Sequence, residues 1–267
     1  LRNAVLFFLF SMVLLQTAAA SAGLLLRFEE KGAAEGKPQS MTFQLEGKKL
    51  RLEYPNGRLL IFDGEQQKLW NIDTRQKIYS EITQADAARI KEMREQREKE
   101  MKEQMGKMPP EQRAQIEQML EKMKQESVDA PRKLTFEPIE GNKKTGAGFS
   151  CKPHRVIENG KTIEETCFIP WKESGLSLQD FQAFDAFEQF LKKIGADMKN
   201  QGRIFQELKQ SPGIPAHVAT VAQEKSSRRE QELTRLKSGD LPDNPFVLPE
   251  GLQKKTTSAP PGGASRN

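Results

Sequence analysis

The chain has 267 residues, with 42 Lys and Arg against 37 Asp and Glu and a net charge of +5. Both signs are interleaved along the sequence, without the clustered cations and stacking aromatics that nucleic-acid binding demands, so no nucleic-acid partner is expected. Beyond a leader segment, the chain is long enough to bury a real core without several disulfides.

Residues 1–22 have the layout of a secretory signal peptide. Arg2 supplies the basic start, Ala4 to Leu15 are largely apolar, and Ala18-Ala19-Ala20 or Ala20-Ser21-Ala22 offers a small-residue cleavage site. A membrane-spanning helix needs about 20 apolar residues, and Gln16 and Thr17 close this run too early. No cysteine near the cleavage site supports lipid attachment. The expected location is therefore periplasmic or secreted, in the bacterial cell envelope, with no transmembrane span after cleavage.

From Leu24 to Ile82 the pattern alternates with period two. Leu24, Leu26 and Phe28 share a face, as do Met41, Phe43 and Leu45, then Leu50, Leu52 and Tyr54. Leu60 with Phe62, Leu69 with Trp70 and Ile72, and Ile78 with Ile82 continue the series. Turn residues at Glu46-Gly47, Pro55-Asn56-Gly57, Asp63-Gly64 and Asp73-Thr74 separate the runs. Connections this short exclude crossover helices, so the strands must form an antiparallel meander.

The chemistry changes at Thr83. Asp86 to Gln104 is dense in Glu, Lys, Arg, Gln and Met, which are strong helix formers. Gly106 and Pro109-Pro110 then break the run. Ile116, Met119, Leu120 and Met123 follow at i, i+3, i+4 and i+7, a narrow apolar stripe. Residues 84–127 read as a charged helical hairpin inserted into a β protein. Six of the nine methionines (Met93, Met101, Met105, Met108, Met119 and Met123) fall there. Helical spacing favours packing or partner contact for them, with soft Cu(I) ligation as the rival.

Strand character resumes over Lys133 to Ile139, and Gly141 to Gly148 reads as a loop. Ser177 caps a helix, with Asp180 in its first turn and Leu176 and Phe181 placed as a hydrophobic staple. Phe184, Phe187, Leu191 and Ile194 follow at helical spacing with Phe190 adjacent, a broad apolar face suited to covering a sheet. Ile204 to Leu208, Ile214 to Val221 and Glu232 to Lys237 read as further strands. From 253 onward the expectation is a disordered tail, rich in Thr, Ser, Pro and Gly after Lys255.

Cys151 and Cys167 are the only cysteines. A three-residue loop, Glu158-Asn159-Gly160, with Gly160 left-handed would set Ile157 opposite Lys161 and Cys151 opposite Cys167. Pro153 has the same parity and cannot donate to the ladder, so that pair class should be non-hydrogen-bonded and close enough for a disulfide. A structural disulfide is expected, against a redox-active or metal-binding pair.

Catalytic signatures are missing. His154 and His217 have no acidic or thiol partner at motif spacing, and no zinc-protease, nucleophile-elbow or phosphate-loop motif occurs. The expectation is a protein with no catalytic residues, no metal and no cofactor, hence not an enzyme.

Several stretches together carry a family resemblance. They are "LRLEYPNGRLLIFDGEQQKLWNIDTRQKIYSEI", "MPPEQRAQIEQML", the Cys151 to Cys167 hairpin and "LKSGDLPDNPFVLPEGLQKK" with Pro245, Phe246, Pro249 and Gly251. This set resembles an uncharacterised exported bacterial family known only as a domain of unknown function. That family is in turn similar to the lipoprotein carriers LolA and LolB. The resemblance covers about Leu24 to Leu252. It implies an α+β fold with a curved antiparallel β-sheet, a LolA-like half-barrel covered by helices, in a single domain over 23–252.

It also implies an apolar cavity between the layers and no catalytic residues. The expected function is to shelter a hydrophobic ligand, a lipid or acyl chain, between sheet and helices. Leu26, Phe28, Phe43, Leu52 and Phe62 would line the cavity from the strands, with Phe181, Phe184, Phe187 and Phe190 from the helix. The alternative is a filled core, with an envelope interaction or stress module acting through the Met-rich hairpin. Candidate partners are a lipid, a lipoprotein or another envelope protein.

Overall fold

The computed structural model describes residues 22–31, 39–126, 133–194, 204–220, 230–241 and 244–255. The expected leader through Ser21 and the tail from Thr256 lie outside the described residues.

Strands β1 (Gly23–Lys31), β2 (Gln39–Glu46), β3 (Lys49–Glu53), β4 (Arg58–Asp63), β5 (Lys68–Asp73) and β6 (Ile78–Thr83) form the meander. Each pairs antiparallel with the next. The tight connections follow from their turn residues. Asp63 Oδ1 accepts from the amides of Glu65 and Gln66, and Asp73 Oδ1 does the same for Arg75 and Gln76, the local bond that makes Asp a turn former.

The second half of the sheet is β7 (Leu134–Pro138), β8 (Lys143–Lys144), β9 (Ser150–Glu158), β10 (Lys161–Pro170), β11 (Gly213–Thr220) and β12 (Glu230–Gly239). β12 returns to pair with β1. The order across the sheet is therefore β6-β5-β4-β3-β2-β1-β12-β11-β10-β9-β7, with β8 on β9. This is an α+β architecture dominated by one antiparallel sheet. A single parallel pair joins its edge: β13 (Gln253–Lys254) runs alongside β6.

That edge corrects the expected boundary at 252, because residues 253–255 are tied to the sheet. Lys254 Nζ donates to Glu81 Oε1 at 2.9 Å, and Trp70 Nε1 donates to Glu81 Oε2 at 2.9 Å. The Lys254 ammonium holds the Glu81 carboxyl below its ordinary range. The segment leading into β13 covers the outer face of β4 and β5. Phe246 is buried there against Leu59, Ile61 and Ile72, flanked by Leu241, Leu248 and Leu252. Leu59 to Phe62 is thus buried on both faces, which a continuous apolar run permits and strict alternation does not.

On the inner face, Leu24, Leu45, Leu50, Leu60, Phe62 and Leu69 share one core with the apolar side of helix α4 (Gln182–Lys193). Ahead of α4 lie a short helix, α3 (Trp171–Ser174), and a 3-10 turn over Leu178–Phe181. The expected cap is present: the Ser177 amide and hydroxyl both donate to Asp180 Oδ2, at 2.7 and 2.9 Å. Leu176 packs on the core beside buried Phe181.

Residues 204–210 form helix α5 (Ile204–Gln210), not the expected strand. Phe205 and Leu208, three apart, both point into the core, the spacing of one helical face. Buried Glu188 of α4 accepts the Phe205 amide at 2.8 Å, satisfying a donor at the start of α5.

The hairpin is present as α1 (Gln84–Gly106) and α2 (Pro110–Glu126). Thr83 and Asp86 make a capping box, and Ile90 and Met93 pack on the main core. Arg113 of α2 then donates from Nε to Met105 O and from Nη2 to Gly106 O, at 3.1 and 3.0 Å. A side chain from the second helix thereby adds to the capping of the last carbonyls of the first, where the Met108 amide already donates to Met105 O. The described side chains between Glu95 and Gln104 are exposed. The arm leaves the body after Met93.

Candidate ligand cavity between sheet and helices

Three β-bulges lie in the pairings among β1, β9, β10, β11 and β12. They fall between Arg27 and Phe28 opposite β12, between Cys167 and Phe168 opposite β11, and between Thr162 and Glu164 opposite β9. The β2 to β6 pairings keep one register throughout. An extra residue bends and twists its strand, so curvature concentrates in the second half of the sheet. A cavity lies between these strands and the segments that carry Phe181, Phe184 and α5.

The cavity measures about 300 Å³. Its floor comes from Leu26 and Phe28 of β1, Met41 and Phe43 of β2, Leu134 and Phe136 of β7, Val156 of β9, and Glu164, Thr166 and Phe168 of β10. Ile214, Pro215 and Val218 of β11 and Gln231 of β12 complete it. Phe181, Phe184, Ile204, Glu207, Leu208 and Ser211 form the roof.

Aromatic contacts hold the walls. Phe28 and Phe43 meet edge-on with ring centres 6.0 Å apart, and Phe43 meets Phe184 at 5.7 Å. On the far side Phe136 lies edge-on to Phe168 at 5.6 Å. These offset geometries suit aromatic quadrupoles and keep the rings standing rather than collapsed into the space. α5 is pinned to the β7 edge, where the Leu134 amide donates to Gln210 Oε1 at 3.1 Å.

Of the nine lining residues expected, Leu26, Phe28, Phe43, Phe181 and Phe184 line this cavity. Leu52, Phe62, Phe187 and Phe190 do not. They are buried in the filled part of the core, where Phe62 lies 5.3 Å from Phe187 and 5.2 Å from Phe190, centre to centre. Parity places the five strand residues on one face and helical spacing places the four phenylalanines on the covering face, but neither fixes their place along the sheet. The β7 to β11 residues were missed because their strands lack the long regular alternation of the meander. Glu164, Thr166 and Phe168, alternating on β10, were the available signal.

The disulfide Cys151–Cys167 is formed, with α-carbons 5.4 Å apart. The hairpin register differs from the expected one. Lys161 pairs with Glu158 across a two-residue turn, in which Asn159 and Gly160 both have positive φ, at 51° and 75°. Asn-Gly favours that geometry. The bulge at Ile163 then places Cys167 opposite Pro153, so the disulfide runs diagonally. His154 Nδ1 lies 3.0 Å from Lys152 O, and His217 Nε2 lies 3.8 Å from Glu230. Among the described residues, no group of three His, Cys, Asp or Glu side chains converges as metal ligands would, and no helix is long and apolar enough to cross a membrane.

Glu188 of α4 is a buried titratable group outside the cavity lining. Burial raises its carboxyl above the ordinary range, against the opposing effect of the Phe205 amide. Both folded and unfolded chains hold that proton at low pH. As pH rises past the ordinary carboxylate value, the unfolded chain ionises first, so this contribution to stability is lost through the raised folded value. Urea midpoints of the native chain minus those of Glu188→Gln should therefore fall from pH 4 to pH 8. A difference that stays flat would contradict this.

No family model matches the sequence, so the resemblance to an exported family has no family match behind it. No curated protein matches it either. Among solved structures, the fold is similar to MucB in its complex with MucA(peri), at 13% identity and a TM-score of 0.32. The match covers 90% of this chain but spans only 61% of that one. An uncharacterized conserved protein from Thermus thermophilus is similar over 88% of this chain and 90% of its own, at 7% identity and a TM-score of 0.42.

Proposed function

We propose that this is a non-enzymatic cell-envelope binding protein that shelters an apolar ligand in the cavity between its sheet and helices. One observation carries the reading: a largely apolar space of about 300 Å³ lies between the sheet and the helices, with Phe28, Phe43, Phe136 and Phe168 on one side and Phe181 and Phe184 on the other. A concave apolar site with a few polar groups is the common form of a small-molecule pocket. The disulfide supports residence in an oxidising compartment such as the periplasm. Ser211 does not read as a nucleophile, because its hydroxyl bonds to the carbonyls of Leu208 and Gly213, at 2.9 and 2.8 Å.

Val218 on the floor offers a direct test. A Val218→Trp side chain should fill much of the space. Titration with a hydrophobic naphthylamine dye should give one site per native chain and an affinity lower by about tenfold or more in the variant, with matching circular dichroism. Equal dye binding by both proteins would refute the reading.

A second reading is favoured by the arm. Helices α1 and α2 extend a charged surface away from the body, held at the turn by Arg113. Such a surface suits capture of another envelope protein. Deleting residues 95–121 should then abolish capture while dye binding persists; unchanged capture would count against it.

A further inference from the structure

The methionines of the arm differ in what surrounds them. Met101 is 38% exposed, and with Val247 it is one of two exposed large apolar side chains among the described residues. Met105 stands one turn further along α1, on the same face, yet it is only 8% exposed. It belongs to neither apolar cluster of the body. Met93 is the last residue of α1 packed on the main core, and Met105 lies about 18 Å beyond it at the helical rise per residue. The cover of Met105 therefore comes from the arm itself. The same residue anchors the turn. Met105 O accepts from the Met108 amide at 3.2 Å and from Arg113 Nε at 3.1 Å, while Arg113 Nη2 holds the adjoining Gly106 carbonyl.

We propose that this tip is a modification site for peroxide, at which Met101 is oxidised first and oxidation of Met105 then unfastens the turn. Each thioether takes one oxygen atom from hydrogen peroxide, giving a sulfoxide and water. On Met101 the new oxygen reaches solvent and costs the fold little. On Met105 it turns a buried apolar group into a polar one, which must find a donor or reach water. The side chain leaves its cover to do so, and the clasp between Arg113 and the end of α1 opens with it. An exposed thioether reacts directly, whereas an enclosed one reacts only through local opening; this sets the order. The step is reversible, because methionine sulfoxide reductases return the thioether, one enzyme for each epimer. The inference goes beyond the ligand cavity and does not depend on what the cavity holds.

The test is peroxide treatment of the full chain, with peptide mapping by mass spectrometry and limited tryptic cleavage followed on the same samples. Met101 should convert at least about tenfold faster than Met105, as access through local opening requires. As Met105 converts, cleavage after Arg113 should quicken by about tenfold, in step with the opened population. Treatment with both reductases should restore the slow rate, which tests the link without any variant. Met101→Leu should keep the response to peroxide, and Met105→Leu should lose it.

Equal conversion rates for Met101 and Met105 would overturn the inference. So would unchanged cleavage after Arg113 once Met105 is fully converted, or a native response to peroxide in Met105→Leu.

Discussion

Phe190→Ala is expected to destabilise the protein by about 3–5 kcal/mol, the usual cost of removing a fully enclosed phenyl ring. Phe190 is completely buried, and its ring centre lies 5.2 Å from that of Phe62, itself completely buried. Its neighbours are other buried side chains of the same core, Phe62 and Leu191 among them, so little collapse can refill the space. Phe136→Ala is the contrast. Its ring lines the cavity floor and is only partly buried, so it should cost under about 1.5 kcal/mol yet weaken dye binding. Urea midpoints at unchanged slope would measure both. Equal costs for the two would mean that the core is not divided into a filled part and an open part.

Much of this division was unreadable before the fold was known. The meander could be read because Leu24 to Ile82 alternates cleanly and its turns carry Asp, Asn and Gly where tight turns need them. The hairpin and the Ser177 cap were equally plain, since propensity, breakers and capping chemistry agree there. Three features escaped. Ile204-Phe205 with Leu208 is short and apolar, a pattern that strand and helix share; only its contact with α4 decides. The bulge at Ile163 leaves no mark in composition, so the cysteines could be paired but not their register. The covering of Leu59, Ile61 and Ile72 by Phe246 joins segments far apart in sequence, although the unbroken run Leu59 to Phe62 already signalled burial on both faces. Of the cavity, Leu26, Phe28, Phe43, Phe181 and Phe184 were legible, and the β7 to β11 wall and the α5 roof were not.

The second large effect concerns the disulfide. Replacing Cys151 and Cys167 together by serine should cost about 3 kcal/mol, the chain-entropy value for a closed loop of this size, with the two residues 16 apart. The bond clamps β9 to β10 at the end away from the Asn159-Gly160 turn, and both strands form cavity floor. The double variant should therefore also bind dye more weakly at temperatures where it is fully folded. Thermal unfolding with and without reductant measures the first effect, and dye titration the second. A native chain whose unfolding ignores reductant would show that the bond contributes nothing.

Native mass spectrometry of the full chain, isolated gently from its producing cells, decides whether the cavity holds a ligand. One apolar small-molecule adduct per chain is expected, removed by organic extraction and missing from Val218→Trp. Bare protein mass for the native chain, with no adduct after incubation with the naphthylamine dye, would contradict a ligand-binding cavity.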